Sequence, residues 1–195
     1  MRHEASIQQE DEERFFAGAR EATRFFMGEA DVQRAAASVA RLLEDNRIPY
    51  AVVGGLALNA YGYVHVTVDV DLLLTWEGLG AFKAIRPDLT ENGVPIDVVL
   101  TGDFPGDGLP KPVDFPDPAS AAILRDRISL LPLPRLIELK LASGMTAPHR
   151  LKDLADVIEV IRALDLPETM AGELDPYVRE KYRELWGAAQ FEERE

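Results

Sequence analysis

The sequence predicts an α/β (α+β) protein in which a small sheet-bearing centre lies between helical flanks. Three observations predict it. Apolar residues recur at helical spacing near both ends of the chain. The middle instead carries short apolar runs, "YAVV", "VTVDVDLLL" and "VPIDVVL", with turn residues between them. No internal repeat and no low-complexity tract breaks this order.

The elements follow in turn. Ser6 with Gln9 resembles a capping box, and Phe15, Ala19, Ala22 and Phe26 then recur at helical spacing before a stop at Gly28. Asp31 caps a second helix, whose stripe is Val32, Ala36, Val39 and Leu43. After Pro49, "YAVV" reads as a short buried strand. Gly54-Gly55 follows, and "LALNAYG" reads as helix. "VTVDVDLLL" is a strand, "EGLGAFKAI" a short helix, Asn92-Gly93 a turn and "VPIDVVL" a third strand. Residues Thr101 to Pro118, rich in Gly, Pro and Asp, form a loop long enough to have a function. "RISLLPLP" adds one edge strand. Helices then run from Arg135 to Ser143, from about Leu151 to Leu164, and from Tyr177 to Trp186 behind Asp175-Pro176; "QFEERE" is a solvated end. The buried stripe of the second of these helices is expected at Leu151, Leu154, Ile158 and Ile161. Trp76 and Trp186 read as packing residues, and His65 and His149 are not spaced as metal ligands of one element.

The chain has 195 residues, enough for a sizeable core, and a formal net charge of −13. Such a field opposes sequence-independent binding to duplex nucleic acid, and it is also what plain solubility needs. There is no cysteine, hence no disulfide framework and no thiolate chemistry. No apolar stretch is long enough to span a bilayer, and the N-terminus lacks the apolar segment of a signal peptide, so the expectation is a cytoplasmic protein without membrane contact.

Asp69 and Asp71 stand in an apolar run. In a strand they share one face, roughly 7 Å apart, while Val68, Val70 and Leu72 pack on the other. Two such anions repel unless a cation sits between them, and a hard cation with oxygen ligands, Mg²⁺ or Mn²⁺, removes the repulsion. Asp97 interrupts another apolar strand and is the natural third ligand if the strands are neighbours. Three carboxylates of this kind suit in-line phosphoryl transfer. The plainer alternative is a set of strand-end aspartates at a solvated sheet edge. Gly54-Gly55, between strand and helix, lets backbone N–H groups approach a phosphate; the alternative is a tight turn that merely needs glycine.

In "VVGG", "DVDLLL" and "IDVV" the sequence resembles the DNA polymerase β-type nucleotidyltransferase superfamily, nearest the small toxin–antitoxin-type members. Thr67, two residues before Asp69, matches their T-x-D-x-D runs. "LIELKLASGMTAPHRLKDLADV" resembles their lysine-bearing helix followed by K-D-x-x-D. The resemblance spans roughly Ile48 to Leu164. It implies a small mixed β-sheet nucleotidyltransferase core at 47–133, N-terminal helices at 1–46 and a helical C-terminal part at 134–195, together one compact unit. It implies Asp69, Asp71 and Asp97 as catalytic and metal-binding residues. Gly54, Gly55, Thr67, Lys140, Lys152 and Asp153 become nucleotide-binding residues, with Asp156 beside them. Lys152 and Asp156 also fit an ordinary surface ion pair.

The implied activity is metal-dependent transfer of a nucleoside monophosphate from an NTP to a hydroxyl acceptor, with release of pyrophosphate. The acceptor would be a tRNA 3′ end or a protein side chain, with a small hydroxylated compound a further option and the Thr101–Pro118 loop as its place of contact. A cognate toxin or antitoxin is the implied partner. A non-catalytic nucleotide- or partner-binding module on the same fold is the alternative, and a structural α/β domain with an acidic edge the plainest one.

Overall fold

The computed structural model describes residues 31–64 and 66–191. The expected first helix, from Ser6 to its stop at Gly28, lies outside these residues, as do His65 and the last four positions. Residues 31–45 are helical (α1), and Val32, Ala35, Ala36, Val39, Ala40 and Leu43 form its buried face. Asp31 is itself helical, so it does not cap this helix as expected.

Six strands form one mixed sheet: β1 (Ala51–Val52), β2 (Val70–Leu74), β3 (Thr90–Glu91), β4 (Val94–Leu100), β5 (Ile123–Arg125) and β6 (Ile128–Leu130). Their order is β3-β4-β2-β1-β6-β5. β1 lies antiparallel to β2 and parallel to β6. β2 and β4 run parallel with Asp71 directly beside Asp97. Parallel neighbours need a crossover. Helix α3 (Trp76–Ile85) provides it, capped where Thr75 Oγ1 accepts the Gly78 N–H at 3.0 Å and held to the core by buried Phe82. Helix α2 (Gly54–Ala60) starts at Gly54 itself, one residue beyond the buried Val53.

Two edges of the sheet differ from expectation. Asn92 and Gly93 make the expected turn, with φ of 52° and 81°, the left-handed pair that a two-residue hairpin demands. That turn joins β4 to β3, a strand too short to leave an apolar pattern. The single edge strand expected in "RISLLPLP" is a hairpin: β5 turns through Asp126 and Arg127, again both left-handed, into β6, and β5 is the true edge. All three β5 residues are exposed, so burial gave its sequence no pattern to show.

After α4 (Pro118–Ala121), the described residues hold three further helices, α5 (Leu133–Thr146), α6 (Leu151–Ala163) and α7 (Arg179–Ala189), with 3₁₀ turns at Pro148–Arg150 and Glu168–Glu173. α5 starts two residues early because Pro134 sits in its first turn, where its missing N–H costs nothing. α5 packs against α2 and α6, and α6 against α7. Glu138 on α5, 3 % exposed, accepts the Asp175 N–H at 2.6 Å and ties the approach to α7 onto the core.

Three packing expectations are corrected. Of the stripe expected on α6, Ile161 is buried and Leu154 and Ile158 pack half-buried on the core, but Leu151 is 61 % exposed, and the fully buried face is Asp153, Asp156, Val157, Val160 and Ile161. Val68 is exposed as well, because strand pairing begins only at Val70 and the chain before it bends. Trp76 is 71 % exposed at the start of α3, whereas Trp186 is a packing residue whose indole N–H reaches Leu166 O at 2.9 Å. Among the described residues, no helix is long and apolar enough to cross a membrane.

Candidate active site

The parallel register of β2 and β4 sets Asp71 and Asp97 side by side on one face of the sheet. Asp69 lies not on the strand but in the bend just before it. The bend brings its carboxylate closer than a strand would. One oxygen from each of Asp69, Asp71 and Asp97 lies within 4.8 Å of the others. Thr67 Oγ1 donates to Asp69 Oδ1 at 2.7 Å and fixes that carboxylate in place.

Asp71 is packed against Gly54. A Cβ on Gly54 would stand 1.9 Å from Asp71 Oδ2, and its φ of +65° is one that side chains rarely adopt. The glycine therefore gives the carboxylate its space. Gly55 is the next residue of α2, partly buried and not part of the cleft lining. Burial first, then repulsion from Asp69 and Asp97, pushes the Asp71 carboxyl up to about 7, against the pull of Lys140 and Arg150. Three close carboxylates with oxygen donors only are what a hard divalent cation takes, and such an ion would cancel the repulsion that raises Asp71.

A cleft of about 370 Å³ opens from Asp71 and Gly54 between the sheet and α5. Lys140 reaches it from α5, and its ammonium bridges Asp153 Oδ1 at 3.1 Å and Asp156 Oδ2 at 2.7 Å. Ser143, one turn on, donates to Asp153 Oδ2 at 2.6 Å, and Arg150 Nε donates to the same oxygen at 2.8 Å. Burial would raise Asp153, but the Lys140 charge, the hydrogen bonds from Ser143 and Lys140, and the Arg150 charge outweigh it and hold its carboxyl below the usual range. The alternative of a Lys152–Asp156 surface pair does not fit: Asp156 is on the buried face of α6, where it pairs with Lys140, and Lys152 is on the exposed one. Lys152 lines no part of the cleft.

No family model matches this sequence, and no curated protein matches it. Solved structures do. The crystal structure of ANT(2'')-Ia in complex with adenylyl-2''-tobramycin is 15 % identical over 78 % of this chain and 94 % of its own, with a TM-score of 0.45. The solution structure of the same protein gives 14 %, 83 %, 93 % and 0.46. A crystal structure from H. pylori, assigned as a nucleotidyltransferase, gives 16 %, 86 %, 93 % and 0.47. Values this low leave function to be read from the chain's own residues.

Two cleft residues were given no site role from the sequence, His149 having been considered only as a metal ligand and Arg150 not at all. His149 and Arg150 both line the cleft from the 3₁₀ turn between α5 and α6. Their signal was the string "HRLKD", in which Leu151 alone separates them from the K-D-x-x-D motif. A turn has no fixed periodicity, so sequence spacing could not say that Arg150 faces Lys140 across Asp153.

Proposed function

We propose that this protein is a metal-dependent nucleotidyltransferase that moves a nucleoside monophosphate from an NTP to a hydroxyl acceptor. One observation carries the reading: Asp71 and Asp97 from two neighbouring strands and Asp69 from the bend before β2 converge beside a glycine-started helix, next to a cleft that also holds Lys140 and Arg150. Asp69, Asp71 and Asp97 would hold Mg²⁺ or Mn²⁺, which when bound supplies charge stabilisation for phosphoryl transfer. Thr67 orients Asp69 for that task.

The chain's own groups do the rest. Gly54 lines the cleft beside Asp71, so its backbone would lie along the phosphates next to the triad, and Lys140 and Arg150 neutralise the triphosphate charge. Asp153 and Asp156 keep Lys140 aimed into the cleft. Asp97, the most exposed of the three aspartates, takes the proton from the acceptor hydroxyl. The acceptor oxygen then attacks the α-phosphorus, the bond to the bridging oxygen breaks, and pyrophosphate leaves. The sequence resemblance supports an RNA 3′ end or a protein side chain as acceptor, in a toxin–antitoxin setting.

The test is label transfer. Purified protein, Mg²⁺ and each α-labelled NTP are incubated in bacterial lysate, beside Asp69→Ala and Asp97→Ala. The expected result is label in RNA or protein, lost by at least a hundredfold in both variants while their melting temperatures stay near that of the unaltered chain. Metal-dependent NTP binding without any transfer would favour the non-catalytic module instead.

A further inference from the structure

The face of the sheet opposite the aspartates carries a second cavity, of about 320 Å³. Strand register fixes its place. Val52 is paired with Leu72 on one side and with Leu130 on the other, and Ile128 is paired with Arg125 across the hairpin. Paired side chains share a face, and so do Ile128 and Leu130, two residues apart; Asp71, next to Leu72, projects from the other face. Val52, Ile128 and Leu130 are the sheet's part of the cavity lining. Ala36 of α1 and Leu56 and Ala60 of α2 line it from the helices. This much of the lining is apolar.

The charged part comes from one place, the tip of the β5–β6 hairpin, where Arg125 and Asp126 also line the cavity. Among the described residues neither forms an ion pair. The Arg125 guanidinium lies 4.8 Å from the centre of the Tyr61 ring, and the Tyr61 O–H donates to Leu131 O at 3.1 Å. The ring therefore holds the cation in place without neutralising it. Asp126 is set by the turn itself, with a left-handed φ of 49°. A cation and an anion, neighbours in the chain and both unneutralised, thus stand beside an apolar hollow.

The complement of that arrangement is a small molecule with both charges at one end and an apolar body at the other. We infer that this cavity binds a free apolar α-amino acid. Its carboxylate meets the Arg125 guanidinium, its ammonium meets the Asp126 carboxylate, and its side chain packs against Val52, Leu56, Ile128 and Leu130. The volume is at the lower end of small-molecule pockets, which hold roughly 300–1,000 Å³. A plain carboxylic acid of the same shape would leave Asp126 unanswered. The site lies on the other face of the sheet from the triad and does not depend on the nucleotidyltransferase reading.

The experiment is calorimetry on the full chain with L-leucine and L-phenylalanine as probes. At least one of them should bind with a Kd below about 1 mM. Arg125→Gln and Asp126→Asn should each weaken that binding by about tenfold or more. Asparagine accepts the left-handed backbone at 126, so the second variant keeps the turn. On the unaltered chain 4-methylpentanoate, which is leucine without its ammonium, should bind about tenfold more weakly than leucine; this comparison stands even where a variant fails to fold. Asp97→Asn, on the opposite face, should bind the amino acids as the unaltered chain does. Failure of both amino acids to bind overturns the site. So does binding that survives either hairpin substitution, or 4-methylpentanoate binding as tightly as leucine. Loss of binding in Asp97→Asn would move the amino acid into the acidic cleft and overturn the site as well.

Discussion

Asp71 carries a carboxyl that burial and two neighbouring carboxylates push up to about 7. In the unfolded chain it titrates near the usual 3.8. Between roughly pH 4 and 7 the folded chain therefore holds a proton that the unfolded chain has lost, and stability without a cation falls as pH rises through that window. Asp71→Asn should raise the melting temperature of the metal-free protein at pH 8, by an amount worth roughly 1–3 kcal/mol. It should also abolish any rise in melting temperature on adding Mg²⁺ or Mn²⁺. In the unaltered chain that rise should be larger at pH 8 than at pH 6, since the cation competes with the proton. A variant that melts lower at pH 8 without cation would show that Asp71 stabilises the fold rather than straining it.

At the scale of elements, the crossing of α5 and α6 holds Lys140 against Asp153 and Asp156. Gly144 makes the crossing close: a Cβ there would meet Leu154 Cγ at 2.5 Å and its backbone nitrogen at 3.2 Å. Gly144→Ala should cost about 1–3 kcal/mol in urea unfolding and weaken NTP binding by parting Lys140 from its carboxylates, with part of both losses recovered by Leu154→Ala. A fully stable, fully binding Gly144→Ala would mean the helices can separate freely. Elements of this kind were unevenly legible in the sequence. β1 and β2 were visible because both their faces are largely covered, and β4 because its Val94, Ile96 and Leu100 are buried within an apolar run. β3 and β5 were not, being short strands at the two edges of the sheet, β5 exposed throughout. Asp69 was read onto the strand because "VTVDVD" alternates perfectly, yet alternation does not reveal where a pairing partner ends. Asp71 and Asp97 were legible as aspartates interrupting apolar strands, whereas Lys152 was not separable from its neighbours without knowing which face of α6 meets α5.

For the molecule as a whole, a net charge of −13 sets the terms on which a polyanion approaches. The repulsion is long-ranged, and salt screens it over about 10 Å at 0.1 M, while contacts to Lys140 and Arg150 act at short range. Raising KCl from about 20 to about 200 mM should therefore speed NTP association in stopped-flow measurements, by roughly two- to fivefold. A slowing over that range would mean that the cleft's cations, not the overall charge, govern encounter. The sheet order has a separate consequence. The acidic face sits on β2 and β4, while the Asp126-Arg127 hairpin lies beyond β1 and β6, exposed and only two residues long. New sequence spliced between those two residues would lengthen an outward turn and leave every residue of the triad in register. That turn is the natural port through which this scaffold could be tethered, labelled or fused to another protein.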